Sequence, residues 1–343
     1  MNIIDLFSGV GGLGLGFEQA GFKNICSIDN WHDAIKTHNF NRKEINGYVE
    51  DIGSFKNEHL TSLLSKYKID GVLGGPPCQG FSSARLSDTT EENQKLNKLR
   101  NKLVFEFIDV VKKVDPFFFV MENVRGMLSI NKGEFLRDIV GSFARMGFRV
   151  NFELIDLSEY QIPQSRKRLF IVGMKNSFFN FPLKFVEKIS SYQAISDLPE
   201  HTSSTYTKPF NNTYQQSMRK NCKILHNHET TNHSIQTIEI ISKVPNGGSI
   251  KNLSEEYWNI RKFNKAFQRM DKNLPSLTID TGHRNYFHYE LNRIPTVREN
   301  ARLQSFSDDF KFLGSKTSQY KQVGNAVPPK FSHELAIQIK NQY

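Results

Sequence analysis

The sequence predicts an α/β protein in which a parallel-sheet domain is followed by a smaller, irregular one and then by a C-terminal helix. Three observations carry this. Short apolar runs alternate with helically spaced segments as far as about residue 174. A glycine-rich turn follows the first of those runs. Beyond residue 175 the periodicity fades, and it returns only near the C-terminus.

Asn2–Phe7 is a short apolar run ended by glycines, the pattern of a buried strand, and the stretch from Gly9 to Gly21 opens a helix through Leu13, Leu15, Phe17 and Ala20. Ile25–Ile28 reads as a strand ending at Asp29, Tyr48–Asp51 as another, and Gly71–Gly75 leads into Pro76 and Pro77. The tract from Ser82 to Arg100 has almost no large apolar residue and predicts a mobile loop, since it offers little to bury. Lys102–Lys113 and Phe135–Met146 have helical spacing, while Phe117–Met121, Arg149–Asp156 and Arg168–Gly173 read as strands. Strands alternating with helices imply βαβ units.

After residue 175 Asn, Ser, Thr and Lys dominate, and Pro182, Pro199, Pro209, Pro245 and Pro275 interrupt the chain, which predicts loops and short strands. Val323-Gly-Asn-Ala-Val-Pro-Pro329 then leads into a helix, Phe331–Ile339. The expected domains are 1–178, 179–316 and a returning segment, 317–343.

The 343 residues are 38% apolar and 23% charged, which excludes a disordered or collagen-like chain. No apolar stretch approaches the ~20 residues of a membrane span, and no signal-peptide pattern opens the sequence. The three cysteines Cys26, Cys78 and Cys222 include no CxxC pair, so neither a disulfide framework nor a cysteine zinc site is expected, and a reducing cytoplasm is. His226, His228 and His233 cluster with the spacing of a polar loop, and no metal site is expected. The net charge of +10 is uneven: residues 1–174 hold 22 basic and 21 acidic side chains, and 175–316 hold 20 and 13. Such an excess suits a polyanion, nucleic acid first, or else a solvated lysine-rich surface.

Gly9-Val-Gly11-Gly-Leu-Gly14 fits GxGxxG between a strand and a helix, and Asp29 follows twenty residues on. The glycines let backbone approach a nucleoside, and the carboxylate can accept from ribose hydroxyls. The pattern indicates an adenosine-containing cofactor without separating a nicotinamide dinucleotide from S-adenosylmethionine.

Cys78 lies in Gly74-Gly-Pro-Pro-Cys-Gln-Gly-Phe-Ser82, where two prolines stiffen its approach; it can be an exposed nucleophile or a small buried hydrophobe. Glu122 sits at the carboxyl end of an apolar strand, where ligands of open α/β sheets bind, and its apolar surroundings should raise its pKa and suit it to proton donation. In Gln164-Ser-Arg-Lys-Arg168, strand alternation would point Arg166 and Arg168 the same way, as two parallel forks for a phosphate and a carbonyl oxygen.

Taken together, the chain resembles the bacterial DNA (cytosine-5) methyltransferases of restriction–modification systems. The resemblance runs in order through Asp5-Leu-Phe-Ser-Gly-Val-Gly-Gly12, Asp29, Asp51-Ile52, Gly75-Pro-Pro-Cys-Gln79, Arg100 with Leu103, Glu122-Asn-Val124, Gln164–Arg168, Arg298-Glu-Asn-Ala-Arg-Leu-Gln-Ser-Phe306 and Gln322–Pro329. It implies a Rossmann-like S-adenosylmethionine-dependent domain with a target-recognition domain inserted before the C-terminal helix. It further implies that Phe7 stacks on the adenine, Gly9, Gly11 and Gly12 form the cofactor turn, Asp29 holds the ribose, Asp51 with Ile52 reads the adenine, and Leu103, Asn325 and Val327 close the pocket. Val244-Pro-Asn-Gly-Gly-Ser-Ile250 resembles a pattern of such recognition domains, too loosely to give a target sequence.

The implied chemistry needs these residue types. C5 of cytosine attacks a methyl sulfonium only after the Cys78 thiolate adds at C6. Glu122 would hold a proton at N3 and contact the exocyclic amine, Arg168 would bind O2, and Arg166 would steady it or a phosphate. The base must be flipped from the duplex, with Gln79, Ser82 and Arg85 as DNA contacts. The resemblance implies double-stranded DNA as partner and a cognate restriction endonuclease acting separately. No membrane partner is expected, and a monomer is, because asymmetric base flipping needs no second subunit. The tRNA-cytosine branch of the family carries a Cys-Phe-Thr stretch that this sequence lacks. DNA binding is expected to weaken steeply with salt.

Overall fold

The computed structural model describes residues 1–44, 46–77, 91–220, 222–260, 267–279, 281 and 286–343, with 91–101 as backbone only. The chain divides into two compact units: Met1–Asp156 with Lys167–Leu183 and Phe331–Tyr343, and Leu157–Arg166 with Lys184–Lys330. The division differs from the expected boundaries, because 157–166 and 317–330 belong to the second unit. The helix Lys316–Asn325 is tied there by Gln304 Nε2, which donates to the Val323 and Ala326 carbonyls at 2.9 and 3.0 Å, and by Tyr320 Oη, which donates to the Pro295 carbonyl at 2.7 Å.

In the first unit, seven strands among the described residues form one sheet. They are β1 (Asn2–Leu6), β2 (Lys23–Asp29), β3 (Gly47–Val49), β4 (Gly71–Gly74), β5 (Phe118–Val124), β6 (Arg149–Asp156) and, after the two-residue β7 (Gln164–Ser165) of the other unit, β8 (Lys167–Met174). Their order is β3-β2-β1-β4-β5-β8-β6. β1 to β5 pair in parallel, whereas β8 is antiparallel to both β5 and β6. The parallel sheet is therefore corrected at one edge. Only residues 157–166 separate β6 from β8, too few for the crossover that a parallel neighbour requires.

The parallel strands read as apolar runs because both faces are covered. Ile4, Leu6, Val72, Phe119, Met121, Leu169 and Ile171 join Phe107 and Phe143 of the flanking helices in one core. The helix Glu91–Val114 contributes to it and begins eleven residues before the expected Lys102, so the second half of the tract read as a mobile loop is helical. Glu91, Glu92, Gln94, Lys95, Leu96, Lys98 and Leu99 are good helix formers, and continuity with the apolar stripe after Leu103 extends the helix through them. The terminal helix Pro329–Gln342 buries Phe331, Leu335, Ala336 and Ile339, with the Phe331 ring 4.8 Å from that of Phe170. Among the described residues no helix is long and apolar enough to cross a membrane.

The second unit has short helices where short strands were expected; its described strands are β7 and its two-residue partner β9 (Ser276–Leu277). The Ser, Thr and Asn residues that read as loop texture supply caps. Side chains of Ser190, Asn212, Ser234, Thr296 and Ser315 each accept from a first-turn N–H of the helices Ser191–Ile195, Thr213–Arg219, Ile235–Lys243, Val297–Leu303 and Lys316–Asn325. The core of this unit is ionic as well as apolar. Arg302, fully buried, donates to Asp308 Oδ1 and Oδ2 at 2.8 and 2.7 Å and to Asp197 Oδ1 at 2.5 Å. Arg298 donates to the His226 and Ser307 carbonyls, and Arg293 pairs with Glu299 at 2.7 Å. His228 bridges the Pro199 carbonyl and Thr296 Oγ1, and His233 Nε2 accepts the Ile294 N–H.

Candidate cofactor and catalytic site

The carboxyl ends of β1, β2, β4 and β5 lie side by side, and Phe7, Gly9, Asp29, Gly75 and Glu122 stand in or directly after those ends. After β1 the backbone turns sharply: Phe7 has φ 55°, Gly9 54° and Gly11 79°. The left-handed conformation costs a phenylalanine roughly 1 kcal/mol or more, so the surrounding structure must impose it. Phe7 is half-buried against the core. Asp29, at the end of β2, spans the turn: its Oδ2 accepts from Gly9 N at 2.8 Å and its Oδ1 from Trp31 N at 2.8 Å.

The glycines of the turn do different work. A Cβ on Gly9 would meet nothing within 4 Å among the described residues, so the chain there is open. A Cβ on Gly11 would strike Arg42 Nη2 and lie 2.5 Å from His38 Cδ2, and one on Gly14 would lie 2.7 Å from Asp5 Oδ2. Of the glycines expected to admit a ligand, Gly9 is thus open, whereas Gly11 makes room for protein side chains. Gly12 is buried at the start of α1 (Gly12–Gln19).

Asp5 escaped attention as a site residue, although a carboxylate inside an apolar strand is itself a signal. It is 1% exposed, its Oδ2 accepts from Gly14 N at 3.1 Å, and among the described residues its Oδ1 has no hydrogen-bond partner. Burial pushes its pKa up to about 7, against the opposing pull of the Arg42 charge and the Gly14 N–H.

Beyond β3, exposed Asp51 caps a helical turn, its Oδ1 accepting from Gly53 N at 2.8 Å. Ile52 beside it is buried and packs in the same core cluster as half-buried Leu103. An open glycine, a carboxylate on β2 and an apolar residue past β3, all at one sheet edge, suit a ligand with a ribose and a flat apolar base.

Glu122 and Arg168 are brought together, Arg168 Nε lying 3.0 Å from Glu122 Oε1, with side chains 17% and 14% exposed respectively. The apolar surroundings expected of Glu122 therefore include a cation. Burial pulls the Arg168 guanidinium below its ordinary pKa, opposed by the Glu122 charge. β4 delivers the next stretch of chain: a Cβ on Gly75 would lie 3.3 Å from Glu122 Oε2. Asn123 Nδ2 donates to the Pro76 carbonyl at 2.9 Å. Asn123, buried at 3% exposure, stood in the Glu-Asn-Val motif without an assigned task.

The shared strand expected for Arg166 and Arg168 is corrected: regular pairing is interrupted at Arg166, which is buried in the second unit, while Arg168 belongs to β8 of the first. Asn325 ends the helix Lys316–Asn325 and is exposed, and Val327 is buried, both in the second unit. Cys78, Gln79, Ser82 and Arg85 lie outside the described residues.

Comparison with known proteins identifies the family. The pattern of the C-5 cytosine-specific DNA methylases matches residues 1–341. The Type II methyltransferase M1.HphI of Haemophilus parahaemolyticus is 36% identical over 337 residues, covering 98% of this chain and 86% of that protein. M.DdeI of Desulfomicrobium norvegicum, also a Type II methyltransferase, is 34% identical over 375 residues, covering 99% and 88%. Among solved structures, a DNA modification methyltransferase encoded within a prophage (E. coli) superimposes with a TM-score of 0.83 at 25% identity, over 99% of both chains. The chain thus belongs to the C-5 cytosine-specific DNA methylases, enzymes that take their methyl group from S-adenosylmethionine, and is a DNA methyltransferase of the Type II restriction–modification kind.

Proposed function

We propose that the chain methylates C5 of one cytosine within a short, specific double-stranded DNA sequence, through base flipping and a covalent bond between Cys78 and C6. The observation that carries this is the Glu122–Arg168 pair set against Gly75, with Asn123 holding Pro76, in the segment that runs directly into Cys78.

When bound, S-adenosylmethionine supplies an electrophilic methyl group on a sulfonium. Phe7 would cover its adenine, Asp29 would accept from its ribose, and Asp51 with Ile52 would meet the edge of the base. Gly9, with Gly11 and Gly12 shaping the turn, lets the backbone approach closely; Leu103, Asn325 and Val327 would close the pocket. The chain's own residues then act on cytosine. The Cys78 thiolate forms a bond to C6, and the ring's C5=C6 electrons move to C5. Glu122 hydrogen-bonds at N3 and the exocyclic amine, and Arg168 donates to O2, so charge developing on the ring meets fixed partners. Arg166 steadies Arg168 or a phosphate. After C5 has taken the methyl group, its proton leaves to solvent or a base, the double bond re-forms, and the thiolate is expelled.

A stacked cytosine hides C6, so the base must leave the duplex at a cost of a few kcal/mol. Gln79, Ser82 and Arg85 would hold the target strand, and residues 179–316, inserted before the C-terminal helix, would read the sequence. The enzyme works as a monomer and protects host DNA beside a separate restriction endonuclease.

Tritiated-methyl transfer tests the reading. Wild type should label duplex DNA and not bulk tRNA, and Cys78→Ser should lose the label. Titration should show binding of S-adenosylhomocysteine and none of NAD. Retained transfer by Cys78→Ser would sink the covalent route.

A further inference from the structure

The glycine turn is gripped from behind by a side chain that belongs to no motif. Arg42 follows α2 (His32–Phe40), and its side chain is 6% exposed. Its Nη2 donates to the Gly11 carbonyl at 2.9 Å, and its Nη1 to the His38 carbonyl at 3.1 Å and the Val10 carbonyl at 3.4 Å. Glu18 of α1 takes the remaining edge, accepting from Arg42 Nε at 3.1 and 3.2 Å. One planar guanidinium therefore ties the turn, α1 and α2 together, a task for a rigid fork of five donors.

The consequence for the open side follows from peptide geometry. In a trans peptide the carbonyl and the next N–H point in opposite directions. Holding the Gly11 carbonyl on Arg42 turns the Gly12 N–H, at the first position of α1, away from Arg42. Gly11 keeps its φ of 79° and lacks a Cβ because Arg42 Nη2 and His38 occupy that side. The same grip fixes the turn relative to α2, which Asp29 precedes, and Asp29 accepts from Gly9 N at 2.8 Å.

We propose that Arg42, braced by Glu18, is a positioning residue for the methyl donor, holding the glycine turn in its ligand-ready shape from the Gly11 side while Gly9 stays open. The proposal rests on the reading that this turn receives S-adenosylmethionine. It assigns Arg42 to cofactor affinity and not to the methyl-transfer step.

The test uses full-length Arg42→Lys, which keeps the charge and loses the fork, and Glu18→Gln, which loosens the brace and disturbs the fold less. Two measurements are made on each: amide hydrogen exchange of residues 9–14 without ligand, and calorimetric titration with S-adenosylhomocysteine. Exchange in the turn should quicken about tenfold in Arg42→Lys, and the Kd should rise about tenfold, with smaller changes of the same sign in Glu18→Gln. The KM for the methyl donor should rise with the Kd, while kcat at saturating donor stays level. Unchanged exchange overturns the proposal. So does faster exchange with unchanged Kd, which would leave Arg42 a purely structural tie, and so does a fall in kcat at constant KM. A wild type that fails to bind S-adenosylhomocysteine would overturn the cofactor reading instead, and the exchange arm would still report on the grip.

Discussion

Asn123 holds Pro76: from inside β5 its Nδ2 donates to the Pro76 carbonyl at 2.9 Å, while its Oδ1 accepts the Val124 N–H at 2.8 Å. The residue after Glu122 in sequence thus fixes the chain two residues before Cys78. Asn123→Ala should lower kcat about 10- to 100-fold, since small misplacements of reacting groups are costly. It should leave S-adenosylhomocysteine affinity unchanged and cost roughly 1–3 kcal/mol in stability through the buried carbonyl left without a donor. Asn123→Asp, which also lacks the donor, should lose activity alike. Steady-state kinetics beside urea unfolding check both, and an active Asn123→Asp would contradict the role.

Glu122 and Arg168 depend on each other. Arg168→Met leaves a largely buried carboxylate without its cation and should destabilise the fold by about 2 kcal/mol, with part of the loss recovered in Glu122→Gln/Arg168→Met. Glu122→Gln, Arg168→Met and the double variant should all be inactive. A double-mutant cycle by chemical denaturation measures the coupling; a value near zero would mean that the pair is not a stabilising unit.

Asp5 makes stability depend on pH. Its carboxyl, ordinarily near 3.8, is raised to about 7 in the folded chain. Across that window the folded protein keeps a proton that the unfolded chain has released. The contribution is therefore fully present below pH 3.8, is lost as pH rises towards 7, and is flat above. Asp5→Asn, neutral at every pH and still an acceptor for Gly14 N, should remove this slope, at about 1.4 kcal/mol per pH unit. Unfolding free energies from pH 4 to 8 for both proteins give the comparison, and identical slopes would exclude Asp5 as the source.

Arg302 is the keystone of the second unit. Burial alone would raise the Asp308 carboxyl, but the Arg302 charge overrides it and holds the group below its ordinary value. Arg302→Met removes the cation that Asp197 and Asp308 share, leaving them Arg219 at 3.2 Å and Arg298 at 3.9 Å, and should cost about 3 kcal/mol. Converting both aspartates to asparagine in the same chain should restore part of that. Thermal unfolding of the two variants decides the matter.

Much of the cofactor edge was readable because it is local. Apolar runs, a glycine turn and Asp29 twenty residues on follow from backbone geometry, and Glu122 sits where an apolar strand ends. What escaped was long-range. Arg42 meets Gly11 across 31 residues, and no periodicity marks such a contact. The antiparallel β8 depends on the length of a connection rather than on strand composition. The uneven charge also changes meaning: Arg269, Arg293, Arg298 and Arg302 are all buried, so part of the excess in 175–316 serves the interior. Arg269 alone donates to the carbonyls of Ile241, Val244 and His288.

The central claim, sequence-specific methylation of cytosine C5 through Cys78, is tested most directly by bisulfite sequencing of DNA from cells expressing the chain or its Cys78→Ser variant. The wild type should protect one cytosine within one recurring short sequence, and Cys78→Ser should protect none. Protection without a recurring sequence, or protection that survives Cys78→Ser, would contradict the account.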